Sequence, residues 1–413
     1  MSNAAVAVTG RPETSSDLIG SLSLVDGGAG LAVTGAGVAA GREHVLHPVW
    51  LRERSLNDGA LEAASLQRMY DPSDLSLDLT LTEASLENGV LSASFSDGHS
   101  MTIAAARLAT EMGWASSTEA PPAPVAWPDA IDPLPVASWA TIVDGDDDEW
   151  VAALGAFWRH GFVVLHDVPT TPGTVAEVAN RLGNLVPTNH GVVFDVVSVP
   201  DPVDLAYTPI HLNAHCDGPY RKPGVTIQLL HCLRNEAPGG NSTLVDGLAA
   251  ANALAAADPE AYEAATTVMV EYRYDTADDV IVSRAPMIEL HHGEFHRLRF
   301  SHRLDYVDAT DRDVLDAYYR ARRWMRDHLN DPAHQTQFRL ESGHLMVMDN
   351  LRILHGRTAF DAGKGHRHLQ GCYVDHDGLD TNWRLARRRQ QVGAERLAEL
   401  ATSAHVTLPG GLD

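Results

Sequence analysis

The chain has 413 residues, 44% hydrophobic and 21% charged, the profile of a globular protein with a substantial core and not of a disordered one. Its 31 Lys and Arg stand against 55 Asp and Glu, a formal charge of -24. Such a surface repels phosphate backbones and anionic headgroups, which argues against nucleic-acid and membrane partners.

Cys216, Cys232 and Cys372 are too few and too far apart for a disulfide framework or a C-x-x-C zinc site. No run approaches the roughly 20 apolar residues of a membrane span, and the N-terminus lacks the basic and apolar regions of a signal peptide. The expected compartment is the cytoplasm.

Residues 1–22, rich in Ser, Thr, Gly and Asn, read as a flexible tail. Residues 23–114 read as a small β-rich domain. In it "GLAVTGAGVAA" and "GVLSASFSDGHSMTI" alternate apolar with polar positions, Asp97-Gly98 signals a hairpin, and "AAARLATEMG" suggests a closing helix. Residues 115–138 are Pro-rich and read as a linker.

The larger domain, 139–398, opens on "DDDEWVAALGAFWRHG", where acidic residues precede an apolar period and Gly161 marks the stop. "FVVLHDV" then reads as a buried strand. Further helices are expected at "TVAEVANRLGNLV", at "DGLAAANALAAADPEAYEAATTV" taken as one, and at "DRDVLDAYYRARRWMRDHLND". Short strand-like runs lie between them, without the strict alternation of a doubly wound sheet. The expected class is α+β, mainly β: an antiparallel two-sheet roll with helices outside. Residues 399–413 read as a tail.

The chemistry concentrates in three stretches. "HCDGPYRKPGVTIQLLHCLRNEAPGGNSTLVDG" begins with His215 and Asp217, two residues apart, which in an extended segment point to one side. "HLMVMDNLRILHG" brings His355 on what reads as a neighbouring strand. Two His and one carboxylate on one face of an iron(II) ion leave three positions open for chemistry. Arg367, opening a further strand-like run, has the planar fork that holds a carboxylate, and Ser242 or Thr243 could add a hydroxyl. Cys216 is expected to pack inward as a small apolar group, and His231, His291, His292 and His366 to be structural or surface residues. Zinc bound by the same triad, in a hydrolase, is the competing reading.

These stretches, with "DNLRILHGRTAF", "RHLQGCYVDHD" and the N-terminal "HPVWLRERS", resemble the gamma-butyrobetaine hydroxylase branch of the iron(II)/2-oxoglutarate dioxygenases, which is related to taurine dioxygenase. The resemblance runs from about residue 25 to 395. It implies a double-stranded β-helix (jelly roll) catalytic domain with flanking helices, and a homodimer. It further implies His215, Asp217 and His355 as iron ligands, Arg367 as anchor of the 2-oxoglutarate C5 carboxylate, and Ser242 as its helper. O2 would be consumed, and an unactivated C–H bond of a small polar molecule hydroxylated, with release of succinate and CO2; desaturation or cyclisation is the alternative outcome.

Two departures from that branch stand out. Zinc is held through Cys in the small domain of the branch's animal enzyme, but this chain has no Cys there and only His99 at a ligand-like place, so no zinc is expected in it. The aromatic cage for a trimethylammonium group maps onto His190, Phe194 and Tyr207, with Gly218 where the branch has Tyr, and the paired Asn near the substrate are replaced by Ser301-His302. The expected substrate contacts are thus His190, Phe194, Tyr207, Gly218 and His302, and gamma-butyrobetaine is expected to be a poor substrate.

Overall fold

The computed structural model describes residues 18–392, apart from 57–59, 63, 64, 66, 198–207 and 302. Contacts divide the chain into two units, one formed by residues 1–120 and 387–413 and the other by 121–386, so the division falls inside the Pro-rich stretch.

The first unit holds two three-stranded antiparallel sheets. One runs Ile19–Val25, Gly30–Gly35, Glu43–Leu46; the other runs Leu81–Glu87, Val90–Phe95, Ser100–Ala104 and leads into the helix Ala105–Glu111. A strand beginning at Ile19 takes in residues 19–22, which composition had suggested were tail: Leu18 and Ile19 are buried in the core, and Ser21 and Ser23 alternate with Leu22 and Leu24 after them. Gly98 has φ +84°, the left-handed conformation that closes the Asp97-Gly98 hairpin. Leu31, Val33, Leu51, Leu91 and Leu108 are fully buried, each contributing about 1.5–3 kcal/mol of apolar transfer.

The second unit is mixed helix and strand, mainly sheet. A six-stranded sheet runs in the order Val136–Ser138, Phe162–His166, Leu345–Asp349, Ile227–Asn235, Arg367–Val374, Val193–Val197, antiparallel except for its first pair. Both its faces are covered, which is why its strands read as continuous apolar runs. Val163, Leu165 and Val347 meet the helices on one side, while Phe162, Val164, Met346 and Met348 meet Leu244 and Ile353 of a second sheet on the other. That second sheet has four antiparallel strands, in the order Leu212–His215, Ile353–Arg357, Ser242–Asp246, Thr336–Phe338.

The helix Asp147–His160 forms where its caps dictate. The Asp146 carboxylate accepts from the amides of Asp148 and Glu149, Arg159 and His160 sit at the negative end, and Gly161 terminates it at φ +79°. The run expected as one helix from residue 246 is two, Gly247–Ala257 and Pro259–Thr267. Pro259 has no amide to continue the first, and Asp258 caps the second through the Ala261 amide at 3.0 Å. Sequence reading also passed over a helix at His376–Val392, although Leu379, Trp383 and Ala386 recur on one face and are buried. Among the described residues, no helix is long and apolar enough to cross a membrane.

Candidate metal centre and substrate cavity

His215 and His355 are register partners on adjacent antiparallel strands of the four-stranded sheet, so their side chains leave the same face side by side. The His355 strand is fixed at its root by a buried pair: the Arg352 guanidinium donates to Asp246 Oδ1 at 2.9 Å and Oδ2 at 2.7 Å, tying the start of one strand to the end of its neighbour. Asp217 is not in the strand, which ends at His215. Its backbone is held instead by Asn350, whose amide accepts from the Asp217 N–H at 2.7 Å and donates to its carbonyl at 2.9 Å.

Asp217 Oδ1 lies 3.5 Å from His215 Nε2 and 3.8 Å from His355 Nε2, and the three ligand atoms lie within 4.8 Å of one another. Donors at right angles on bonds of ~2.1 Å stand roughly 3 Å apart, so a small contraction onto one ion completes the geometry. His215 Nδ1 lies 2.9 Å from the Asn213 carbonyl, which fixes the tautomer that leaves Nε2 free to ligate. Among the described residues no other group of three His, Cys, Asp or Glu converges in this way.

The protonation states suit a metal. Burial opposes ionisation of Asp217, but His355, His215 and the Tyr373 hydroxyl outweigh it and hold the carboxyl well below the usual range. Burial pulls His355 down to about 4, so it is neutral at physiological pH. An ionised carboxylate and neutral imidazoles are the ligating forms. Tyr373 donates to Asp217 Oδ2 at 2.8 Å and Gln228 Nε2 does so at 2.5 Å.

Arg367 is buried, meets no carboxylate among the described residues, and has an unpartnered Nε; burial lowers it to about 10, still charged. It packs on the Phe360 ring and against Gly240, two residues before buried Ser242. Arg357 flanks the same ring, but its Nη2 donates to the Thr208 and Ile210 carbonyls.

A cavity of about 760 Å³ borders His215 and Asp217. His190, Phe194 and Gly218, expected from sequence, line it; Tyr207 and His302 lie outside the described residues. Four rings not anticipated there, Tyr220, Tyr274, Tyr306 and Tyr373, also line it, with Tyr220 stacked on Tyr274 at 5.0 Å. Tyr274 follows buried Tyr272 by two on the strand Val270–Asp275, a spacing that places both on one face. Arg303 reaches the cavity without an ion-pair partner among the described residues. Cys216 is packed inward, and burial raises its thiol. His99, in the small unit, lies 2.9 Å from the Ser55 hydroxyl.

Two packed sheets holding a half-buried cluster of two His and one carboxylate beside a cavity are the arrangement expected of a mononuclear non-haem iron oxygenase. The chain belongs to the taurine catabolism dioxygenase TauD, TfdA family, which it matches over residues 130–373. It is 33% identical over 356 residues to the gamma-butyrobetaine dioxygenase of Pseudomonas sp. (strain AK-1), covering 83% of this chain and 90% of that one. The human gamma-butyrobetaine dioxygenase is 29% identical over 270 residues (63% and 68%), and the human mitochondrial trimethyllysine dioxygenase 25% over 355 residues (82% of each). The chain is therefore an oxidoreductase of the dioxygenase type. Its cofactors are iron(II), which its His-Asp-His cluster is able to bind, and 2-oxoglutarate.

Proposed function

We propose that the chain hydroxylates an unactivated C–H bond of a small polar molecule, with His215, Asp217 and His355 as the iron ligands and Arg367 as the anchor of the 2-oxoglutarate C5 carboxylate. The observation that carries this reading is the convergence of three ligand atoms within 4.8 Å beside a cavity sized for a small molecule. Bound iron with 2-oxoglutarate and O2 supplies the oxidising power, and succinate and CO2 leave. The protein's part is placement. The fork of Arg367, which meets no carboxylate among the described residues, gives the dicarboxylate two charge-assisted hydrogen bonds, and the Ser242 hydroxyl adds a third. The neutral His355 imidazole and the ionised Asp217 stay competent to ligate over the physiological range. Within the same reading, the two sheets are the halves of a double-stranded β-helix, the protein works as a homodimer, and its compartment is the cytoplasm. The resemblance supports the first two, and the three free buried Cys the third.

The cavity suits a molecule with a cationic or apolar end against the rings of Phe194, Tyr220 and Tyr274 and an anionic end toward Arg303. The tyrosines add aromatic surface that counting from the sequence had not included, so gamma-butyrobetaine, the substrate named for two of the relatives, belongs among the compounds compared.

Succinate formation by iron-loaded protein, measured with a panel of betaines, amines, amino acids and phosphonates, tests the reading. One compound class should stimulate it, with a product that has gained one oxygen. A product that has lost two hydrogens marks desaturation or cyclisation instead. No stimulation by any class, together with no binding of 2-oxoglutarate, contradicts the proposal.

A further inference from the structure

The ligands and the groups that hold Asp217 come from different sheets. His215 and His355 stand on the four-stranded sheet, yet among the described residues every side chain bonded to Asp217 apart from the histidines belongs to three adjacent strands of the six-stranded sheet or the residue just after one. Gln228 and Tyr373 are direct register partners across two of those strands, and Asn350 follows the third, Leu345–Asp349, which pairs with the Gln228 strand through Met348. Asn350 is fully buried and fixes the Asp217 backbone; it also donates to the Val225 carbonyl at 3.0 Å.

The side-chain bonds have a directional consequence. A carboxylate oxygen has two acceptor sites. Both donors, Gln228 Nε2 at 2.5 Å and the Tyr373 hydroxyl at 2.8 Å, address Oδ2, while Oδ1 alone faces the two His Nε2 atoms. Oδ2 has no acceptor site left over.

From this arrangement, and resting on the reading of the triad as iron ligands, we infer that Gln228 and Tyr373 are positioning residues that make Asp217 a one-oxygen ligand. They prevent the carboxylate from chelating through both oxygens. A two-oxygen Asp217 would occupy one of the three positions that 2-oxoglutarate and O2 require, so the pair protects the open face of the metal.

The test uses full-length Tyr373→Phe, which removes one oxygen atom, and Gln228→Met, which keeps side-chain length and removes the amide. Mn(II) affinity is measured without substrate, because Tyr373 also lines the cavity. The visible band of the anaerobic Fe(II)–2-oxoglutarate complex is then recorded, with circular dichroism and thermal midpoint confirming the fold. Outer partners of metal ligands typically affect affinity about 10- to 100-fold. Each variant is therefore expected to change the Mn(II) dissociation constant about 10-fold and to weaken or shift the band, with the fold intact. Wild-type affinity and an unchanged band in both folded variants would overturn the inference. Asp217→Ala in parallel separates the two levels: if it binds Mn(II) as wild type does, the triad assignment itself has failed.

Discussion

His215 and His355 face each other across one register pair, their ring centroids 4.4 Å apart and their planes tilted by 40°. Two imidazoles so close, in a protein where burial keeps His355 neutral, present two lone pairs to the space beside Asp217 Oδ1.

Replacing Arg367 with Lys keeps the charge and removes the fork. Losing a charge-assisted hydrogen bond of about 1.5–3 kcal/mol is expected to raise the 2-oxoglutarate requirement roughly 10- to 150-fold. Metal affinity should change little. The concentration dependence of 2-oxoglutarate turnover checks this, and an unchanged value moves the anchor to Arg357.

Arg303→Ala should separate substrate from cosubstrate. An anionic substrate is expected to show a KM raised about 10-fold through loss of the charge-assisted contact, with the 2-oxoglutarate requirement as in wild type. Steady-state kinetics on the best compound of the panel decide it, and an unaltered KM removes Arg303 from recognition.

No tightly held zinc is expected in residues 23–114. A structural zinc needs four Cys or His donors, and this segment has no Cys. Metal analysis of the His215→Ala, His355→Ala double variant provides the check. About one equivalent of surviving zinc contradicts the prediction.

Much of this was legible because local signals coincide with structure. The helix Asp147–His160 carries its own caps, the Asp97-Gly98 hairpin its turn residues, and the triad its strand-rich surroundings. The break at Asp258-Pro259 was also written locally, but a continuous run of Ala obscured it. Tyr220, Tyr274 and Arg303 escaped notice because cavity walls are assembled from loops and hairpins distant in sequence. The hold of Gln228, Tyr373 and Asn350 on Asp217 depends on the register of three strands, which no short-range pattern encodes.

His231 supplies a pH prediction remote from the triad. It is fully buried, and burial lowers it from 6.5 to about 4. Below pH 6.5 the unfolded chain takes up a proton that the folded chain refuses, so stability falls as pH drops from 6.5 to about 4, by up to about 3 kcal/mol from this group. Urea unfolding at pH 7 and pH 4.5 should give a smaller loss for His231→Leu than for wild type. An equal loss assigns the acid sensitivity elsewhere.

The most direct measurement is an anaerobic Fe(II) titration of the purified protein with 2-oxoglutarate, followed in the visible range. The account predicts a weak charge-transfer band that saturates at one iron per chain and is abolished in Asp217→Ala and His355→Ala. Absence of the band in wild type, or its full persistence in either variant, would contradict an iron and 2-oxoglutarate site built by His215, Asp217 and His355.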